Sequence, residues 1–79
     1  MSDTFERVKK VTAHLLKVDA GRIKPESRFV DDLGAQSIQS IELIAAFEEE
    51  FDIEMDEESS LKVKTVGDAA RFIETLRAN

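Results

Sequence analysis

Residues 32–51 read DLGAQSIQSIELIAAFEEEF, and this stretch decides the fold. From Ser37 onward, apolar residues recur at three- and four-residue spacing, as they do along one face of an amphipathic helix. The predicted apolar stripe contains Ile38, Ile41, Ile44, Ala45, Phe47 and Phe51. Acidic residues occupy mostly the other faces, namely Glu42, Glu48, Glu49 and Glu50. Residues 37–51 therefore predict a helix that buries one face and exposes carboxylates.

Two further helices are predicted on either side of this segment. The first follows helical spacing and ends near Lys17, with the apolar residues Phe5, Val8, Val11, Leu15 and Leu16. The last contains Val66, Ala69, Ala70, Phe72, Ile73 and Leu76. Thr65 and Asp68 have the spacing of a capping box at its start. Residues 56–60 are expected to form one short helical turn.

A long connection separates the first helix from residues 37–51. Gly21 and Pro25 interrupt regular structure there, and Ile23, Phe29 and Leu33 are spaced like anchors on a core. No alternating β-branched run bounded by turn signals is present, so no sheet is predicted. The expected fold class is all-α, a small four-helix bundle of three main helices and one short helix, with a long loop between helices one and two. With 79 residues, the chain has room for one domain, residues 1–79.

Charge is segregated along the chain. The net charge is −6, and all 11 Lys and Arg lie outside residues 29–61, whereas 11 of the 17 Asp and Glu lie inside them. Such an acidic surface repels nucleic acid and anionic membranes, and it favours partners with basic patches. No apolar run is long enough to span a membrane, and the first residues lack the features of a signal peptide. These observations predict a cytoplasmic protein that is not membrane-embedded.

Little in the composition supports catalysis. Cys is absent, which excludes disulfides and thiolate metal sites, so thiol chemistry must come from a cofactor. Ser37 lacks an evident base, because the only histidine, His14, lies in the first helix. The acidic run at residues 52–58 has Glu57 where a calcium loop requires glycine, so no specific metal site is predicted and loose divalent-ion binding stays open. We expect a protein that is not an enzyme.

The position of Ser37 points instead to a modified serine. Gly34 is expected to form a turn, because the lysine of a P-loop is missing. Free amides at a helix start stabilise a nearby anion such as a phosphodiester. The residues alone leave another interpretation open, in which Ser37 is a simple N-cap and the acidic helix of an unmodified module docks a basic partner.

These residues resemble the acyl carrier protein family, most specifically through DLGAQS at residues 32–37. The resemblance extends from residues 5–10 through 29–35 and 48–51 to Thr65 and Val66. It implies that Ser37 carries 4′-phosphopantetheine, donated from coenzyme A by a phosphopantetheinyl transferase, and that acyl intermediates are carried on this arm as thioesters. The implied role is delivery of acyl groups, by a monomer, to enzymes of fatty acid or specialised lipid biosynthesis. An aminoacyl or peptidyl carrier is the alternative of the same type.

The resemblance also implies roles for other residues. Helix two would meet the basic docking patches of acyl-loading, elongating or acyltransferase enzymes, with recognition residues Gln36, Gln39, Glu42, Glu48, Glu49 and Asp52. The core, which would also shelter the acyl chain, is expected to contain Ile41, Ile44, Phe47, Phe51, Met55, Val63, Phe72 and Ile73. Family members usually carry acidic or similar polar residues where this chain has Gln36 and Gln39. That departure suggests a specialised carrier with a restricted set of partners.

Overall fold

The computed structural model describes residues 3–78, and these residues form an all-helical architecture. The helices are α1 at Asp3–Leu16, α2 at Ser37–Phe51, α3 at Glu57–Ser60 and α4 at Val66–Ala78, and a 3₁₀ turn at Ala20–Arg22 lies between α1 and α2. The predicted bundle of three main helices and one short helix is confirmed. Within residues 3–78 there is no strand, and one isolated antiparallel bridge pairs Arg28 with Thr65. None of the described helices has the length and apolar character needed to cross a bilayer.

The core lies where α1 packs against both α2 and α4. Its largest fully buried apolar side chains are Phe47, Ile73, Val8 and Val66. Full burial of one such side chain contributes about 1.5–3 kcal/mol relative to leaving it in water. Val8 of α1, and Val66 and Ile73 of α4, were predicted to lie on the apolar faces of these helices, and the structure confirms that they are buried.

Two threonines of α1 are also buried, although the sequence analysis did not single them out. Thr4 Oγ1 accepts a hydrogen bond of 3.1 Å from the Arg77 guanidinium, which links α1 to the end of α4. Thr12 is fully buried, and its hydroxyl has no hydrogen-bond partner within the described chain. Such a hydroxyl costs stability, because it loses its bonds to water on folding.

The buried face of α2 differs from the predicted one. Leu43, Phe47 and Phe51 are buried, whereas Ile38 and Ile41 are 59% and 67% exposed. Ala45 is exposed as well. The prediction that Ile38, Ile41 and Ala45 share the buried stripe is therefore wrong, and Ile41 is not a core residue. The buried residues are spaced four apart on one helix face, and apolar residues on the adjoining face made the periodicity ambiguous.

The other predicted core residues are buried to different degrees. Met55 and Ile73 are buried, and the partly buried Ile44, Val63 and Phe72 pack against them. This set comes from α2, from the segment after it and from α4. These predicted core residues therefore belong to, or pack against, one hydrophobic cluster.

The long connection is anchored to the core by the predicted residues. Ile23 and Phe29 are buried, and Leu33 is partly buried. The 3₁₀ turn begins at Asp19, whose Oδ1 accepts a hydrogen bond of 2.9 Å from the Gly21 N–H. The connection therefore has a defined path along the bundle.

The connection is also hydrogen-bonded to the start of α4. Pro25 O accepts from the Gly67 N–H at 2.8 Å, and Ser27 O accepts from the Val66 N–H at 2.9 Å. A Cβ atom added to Gly67 would lie 2.8 Å from Pro25 O, which is too close for any other residue. Gly67, which the sequence analysis did not single out, is thus required where these two backbones meet.

The first turn of α4 confirms the predicted capping box. The Asp68 N–H donates to Thr65 Oγ1 at 3.0 Å, and the Thr65 N–H donates to Asp68 Oδ2 at 3.4 Å. Arg71 donates to the other Asp68 oxygen at 2.8 Å. This Arg71 bond, together with the bonds from Thr65, holds the pKa of Asp68 below its ordinary value of 3.8, although partial desolvation opposes the change.

A cluster around Phe51 joins the three long helices at one end of the bundle. The guanidinium carbons of Arg7 and Arg77 lie 4.4 Å and 5.4 Å from the centroid of the Phe51 ring. Arg7 also donates to the Glu50 carboxylate and to the Glu50 carbonyl, both at 2.8 Å. The last turn of α2 contains no basic residue, so Arg7 of α1 supplies the positive charge that a helix C-terminus favours.

Candidate functional site

Ser37 is the first residue of α2, and its side chain is exposed. Gln36 is the cap residue, with φ −84° and ψ 165°, and its backbone N–H donates to Gln39 Oε1 at 2.9 Å. Within residues 3–78, the Ser37 hydroxyl has no hydrogen-bond partner. The alternative in which Ser37 is the N-cap of the helix is therefore wrong. Its hydroxyl is free for chemistry, and its replacement would remove no hydrogen bond from the fold.

The loop before Ser37 is a tight turn closed by backbone hydrogen bonds. Arg28 O accepts from the Asp32 N–H at 3.0 Å, and Phe29 O accepts from the Ala35 N–H at 2.8 Å. Gly34 has φ 75°, in the left-handed region that glycine adopts without strain. The predicted turn glycine is confirmed, and the turn directs the buried Ala35 inward and leaves the start of α2 exposed.

The acidic residues of this turn are neutralised locally. Arg28 Nη1 lies 3.3 Å from Asp31 Oδ2, and Arg28 Nε lies 3.6 Å from Asp32 Oδ2. The Arg28 backbone N–H also donates to Asp32 Oδ2 at 2.8 Å. The carboxylates that precede Ser37 in sequence therefore have a countercharge, unlike most of those on α2.

A cleft of about 970 Å³ opens beside Ser37, between α2 on one side and residues 28–31 and 60–64 on the other. Most of its surface is apolar. Five of the residues predicted to shelter an acyl chain line it, namely Ile41, Ile44, Phe47, Met55 and Val63. The Phe29 and Phe47 rings meet at the buried side of the cleft, with centroids 6.3 Å apart and planes tilted by 52°.

The structure does not bring the remaining predicted pocket residues into this cleft. Phe51 and Ile73 are core residues, and they line neither this cleft nor the second, smaller one. Phe72 borders the second cavity of about 560 Å³ together with Met55. The predicted pocket was thus too large, because core and cleft residues have the same apolar character in the sequence.

Several cleft residues were missed by the sequence analysis. Leu43 and Phe29 line the buried part of the cleft, and Val30 and Leu61 line its open part, where they are 58% and 74% exposed. The available signal was a short apolar stretch between polar residues, as at Phe29 and Val30 or at Leu61. That signal does not show which residues a fold places next to each other.

The predicted recognition residues on α2 fall into two groups. Glu42, Glu49 and Asp52 are exposed, and none of them forms an ion pair within the described residues. Glu48 is half-buried, and its Oε2 accepts a hydrogen bond of 2.8 Å from the Met55 N–H. The Glu48 carboxylate therefore holds the segment that follows α2, in addition to any role in recognition.

The remaining candidates can be placed as well. Gln36 is exposed and Gln39 is half-buried, next to Ser37 in the first turn of α2. His14 is exposed on α1 and does not line the cleft. Among the described residues, no group of three His, Cys, Asp or Glu side chains is placed to hold a metal ion.

This arrangement fits a group attached through an oxygen–phosphorus bond. The Ser37 hydroxyl is exposed and free, and it lies at the helix start, where backbone amides without intrahelical partners stabilise negative charge. The cleft beside it offers apolar surface for whatever such a group carries. The Ser37 hydroxyl, the helix start and the cleft are the features that a phosphate-bearing arm requires.

A comparison with known protein families also indicates a phosphate-bearing arm. The model of the family described as phosphopantetheine attachment site matches residues 6–73, a span that includes Ser37 and every residue lining the cleft. Members of this family carry covalently attached 4′-phosphopantetheine and act as carriers that meet a transferase and other enzymes. This confirms the cofactor expected from the resemblance. The chain belongs to the phosphopantetheine attachment site family of carrier proteins.

Proposed function

We propose that Ser37 is the attachment point of the arm and that the protein is an acyl carrier. The observation that supports this most directly is a free hydroxyl beside an apolar cleft. The two other serines that line the cleft use their hydroxyls within the fold. Ser60 donates to Asp56 O at 2.7 Å, and Ser40 makes a long bond of 3.5 Å to Gln36 O.

The protein contributes shelter and positioning, and the arm contributes a terminal thiol that forms thioesters. No protein thiol competes with it, because the chain has no Cys. Each CH₂ group removed from water stabilises the sheltered state by about 0.8 kcal/mol. An apolar cleft therefore suits an acyl chain better than the charged amino group of an aminoacyl cargo, which loses hydration when it is buried.

The partner surface is the exposed side of α2. Glu42, Glu49 and Asp52 present carboxylates without local countercharge, and Ile38 and Ile41 are exposed on the same helix. A basic patch on an acyl-loading, elongating or acyltransferase enzyme would neutralise the acids and cover the isoleucines. Glu48 contributes less to this surface than the other acids, because it is bonded to Met55.

The first turn of α2 supports a specialised role in fatty acid or other lipid biosynthesis. Gln36 and Gln39 put neutral amides on either side of Ser37, and Gln39 is fixed by its bond to the Gln36 N–H. A transferase that recognises carboxylates at these positions would bind this carrier weakly. The protein acts as a cytoplasmic monomer, with residues 1–79 as one carrier domain.

The attachment site is tested by the intact mass of the protein isolated from its own cells. We expect a gain of one phosphopantetheine over the sequence mass in the wild type, no gain in Ser37→Ala and an unchanged gain in Ser40→Ala. Both variants should fold normally. An unmodified wild type, or a modified Ser37→Ala protein, would contradict the proposal. The additional mass on the arm distinguishes an acyl group from an aminoacyl group.

The restricted partner set is tested by introducing acidic residues at positions 36 and 39, where family members usually carry acidic or similar polar residues. We expect Gln36→Asp combined with Gln39→Asp to accelerate modification by broad-specificity phosphopantetheinyl transferases, because both carboxylates lie beside Ser37. The control is Glu74→Gln, which changes an exposed charge on α4, outside the proposed partner surface. Equal transfer rates for the wild type and the doubly substituted protein, with every transferase tested, would rule out the restricted set.

A further inference from the structure

Two cations line the cleft, and only one of them is neutralised. Arg28 is held by Asp31 and Asp32 at 3.3 Å and 3.6 Å. Lys64, the other cation, forms no ion pair within the described residues. Asp31 is the carboxylate in the lining, and Arg28 engages it. The cleft is therefore apolar over most of its surface and has one unmatched positive charge.

The fold fixes the backbone that carries this charge. The Phe29 N–H donates to Lys64 O at 3.1 Å, and Arg28 pairs with Thr65 in the isolated bridge. Lys64 follows the cleft residue Val63 directly in sequence, and Phe29 lines the same cleft. The backbone of Lys64 is thus tied to the wall that faces α2.

A basic residue in the cleft is unusual for this sequence. Residues 29–61 contain no Lys or Arg, although they supply most of the cleft. Lys62 is exposed and lies two residues before Lys64, but it is not part of the cleft lining. Since a lysine packs its methylene stem on apolar surface and keeps its ammonium group at the water boundary, Lys64 places a cation at the rim of an apolar space.

We propose that the cleft receives acyl groups that end in a carboxylate, and that Lys64 is the residue that selects them. This inference rests on the proposed acyl carrier function. The methylene part of such a cargo would pack on Ile44, Phe47 and Val63, and its terminal carboxylate would pair with the Lys64 ammonium group. The phosphate of the arm is the other available anion, but it is bonded to Ser37 on α2, opposite the wall that contains Lys64.

The experiment compares two cargoes of equal chain length. A phosphopantetheinyl transferase loads the wild type, Lys64→Ala and Lys62→Ala from hexanoyl-coenzyme A and from adipoyl-coenzyme A, and intact mass verifies each product. The readout is the rate at which hydroxylamine cleaves each thioester, expressed as the hexanoyl rate divided by the adipoyl rate. This ratio cancels any effect of a variant on the two cargoes alike.

We expect the ratio in the wild type to be about two- to fivefold higher than in Lys64→Ala, which is the effect of one exposed ion pair. Lys62→Ala should retain the wild-type ratio. The difference should shrink at 1 M salt, because salt screens exposed charges. The amide resonance of Lys64 should shift more with adipoyl than with hexanoyl cargo in the wild type.

Other outcomes separate this inference from the function on which it rests. An equal ratio in all three proteins overturns the role of Lys64. A second result would also overturn it, namely that Lys64→Ala shifts the Ser37 amide resonance of the unacylated, arm-bearing form as much as that of the adipoyl form. The phosphate of the arm would then be the partner of Lys64. Cleavage of both cargoes as fast as from denatured protein contradicts acyl shelter itself. Absence of any loading by the transferase that acts on this protein in its own cells contradicts attachment at Ser37.

Discussion

Helices α2 and α4 have similar lengths, 15 and 13 residues, but they place charge in opposite ways. In α4, Asp68 lies in the first turn and Arg77 in the last, which is the arrangement that the helix dipole favours. In α2, the first turn has no acid and the last turn has no base. Three of its four carboxylates lie instead toward the C-terminal end, at Glu48, Glu49 and Glu50, with Asp52 directly after the helix.

The exposed apolar residues show the same difference. Among the side chains that the structure describes, four large apolar ones are exposed, and Ile38 and Ile41 of α2 are two of them, whereas α4 contributes none. Charge and apolar exposure on α2 therefore both oppose the stability of the isolated protein. The charge pattern of α4 suits stability, whereas that of α2 suits a surface that a partner covers.

The largest effect is expected from comparing the two faces of α2. Leu43→Ala should reduce the free energy of unfolding by about 2–5 kcal/mol, because it leaves a cavity in the core. Ile41→Ala should change it by no more than about 0.5 kcal/mol, because that side chain is exposed. Urea denaturation of both variants measures the difference. Equal losses would mean that Ile41 is buried and that α2 has no exposed apolar face.

The next effect concerns the contact that holds the long connection to α4. Gly67→Ala should lower the free energy of unfolding by about 1–3 kcal/mol, since its Cβ would lie 2.8 Å from Pro25 O and the backbones would have to separate. Gly21→Ala is the control, because its Cβ would meet nothing closer than 3.4 Å. Thermal denaturation should show a lower midpoint for Gly67→Ala than for Gly21→Ala. Identical midpoints would contradict the close approach.

The charge at the start of α4 should have a smaller, pH-dependent effect. The pKa of Asp68 is lower in the folded protein than in the unfolded chain, so its ionised form stabilises the fold. This contribution is complete above the ordinary pKa of 3.8 and is lost as the pH falls through the lower, folded-state value. Asp68→Asn should cost about 0.3–1 kcal/mol at pH 7, the range for a carboxylate in the first turn of a helix.

At about pH 2, the free energy of unfolding of Asp68→Asn should differ little from that of the wild type. Unfolding by urea between pH 7 and pH 2 measures the gap between the two proteins, which we expect to narrow only below about pH 4. Glu74→Gln, an exposed substitution in the same helix, serves as the control for a general change in charge. A gap that is independent of pH would show that the Asp68 carboxylate contributes only as a hydrogen-bond acceptor.

The smallest expected effect is an increase in the free energy of unfolding, whereas the changes above lower it. Glu49→Gln removes an acid from the end of α2 where the helix dipole disfavours it, and we expect a gain of about 0.3–0.5 kcal/mol in the free energy of unfolding. Glu42→Gln, away from both ends, should change stability less. Both variants should bind a basic partner enzyme more weakly in a titration calorimetry experiment. A loss of stability in Glu49→Gln would remove the evidence that α2 gives up stability for recognition.

Local patterns predicted much of this fold. The spacing of Phe5 and Val8, the pairing of Thr65 with Asp68 and the turn at Gly34 each depend on residues close in sequence. The buried face of α2 did not follow in this way, because α2 has apolar residues on adjoining faces and only the packing of the folded bundle shows that Leu43 is buried. The approach of Gly67 to Pro25 and the bond from Glu48 to Met55 also depend on how distant segments meet.

The local part of the candidate site was predicted from the sequence, whereas the cleft was predicted only in part. The turn and the helix start around Ser37 are local, so the position of the serine followed from its neighbours. The cleft is assembled from four separated parts of the chain, and its residues could not be distinguished from core residues such as Ile73. Lys64 had no feature in the sequence that connected it to Ser37.

The cluster of Arg7, Arg77 and Phe51 also has a consequence for motion. Phe51 and Ser37 are at opposite ends of α2, about 21 Å apart along the helix axis. The three long helices are joined at the Phe51 end, whereas α3, beside the cleft, packs extensively against none of the other described helices. Backbone amides near Phe51 should therefore exchange with deuterium only on global unfolding, and those of Ser60 and Leu61 much sooner. If exchange follows this pattern, the cleft could widen while the Phe51 end of the bundle stays folded.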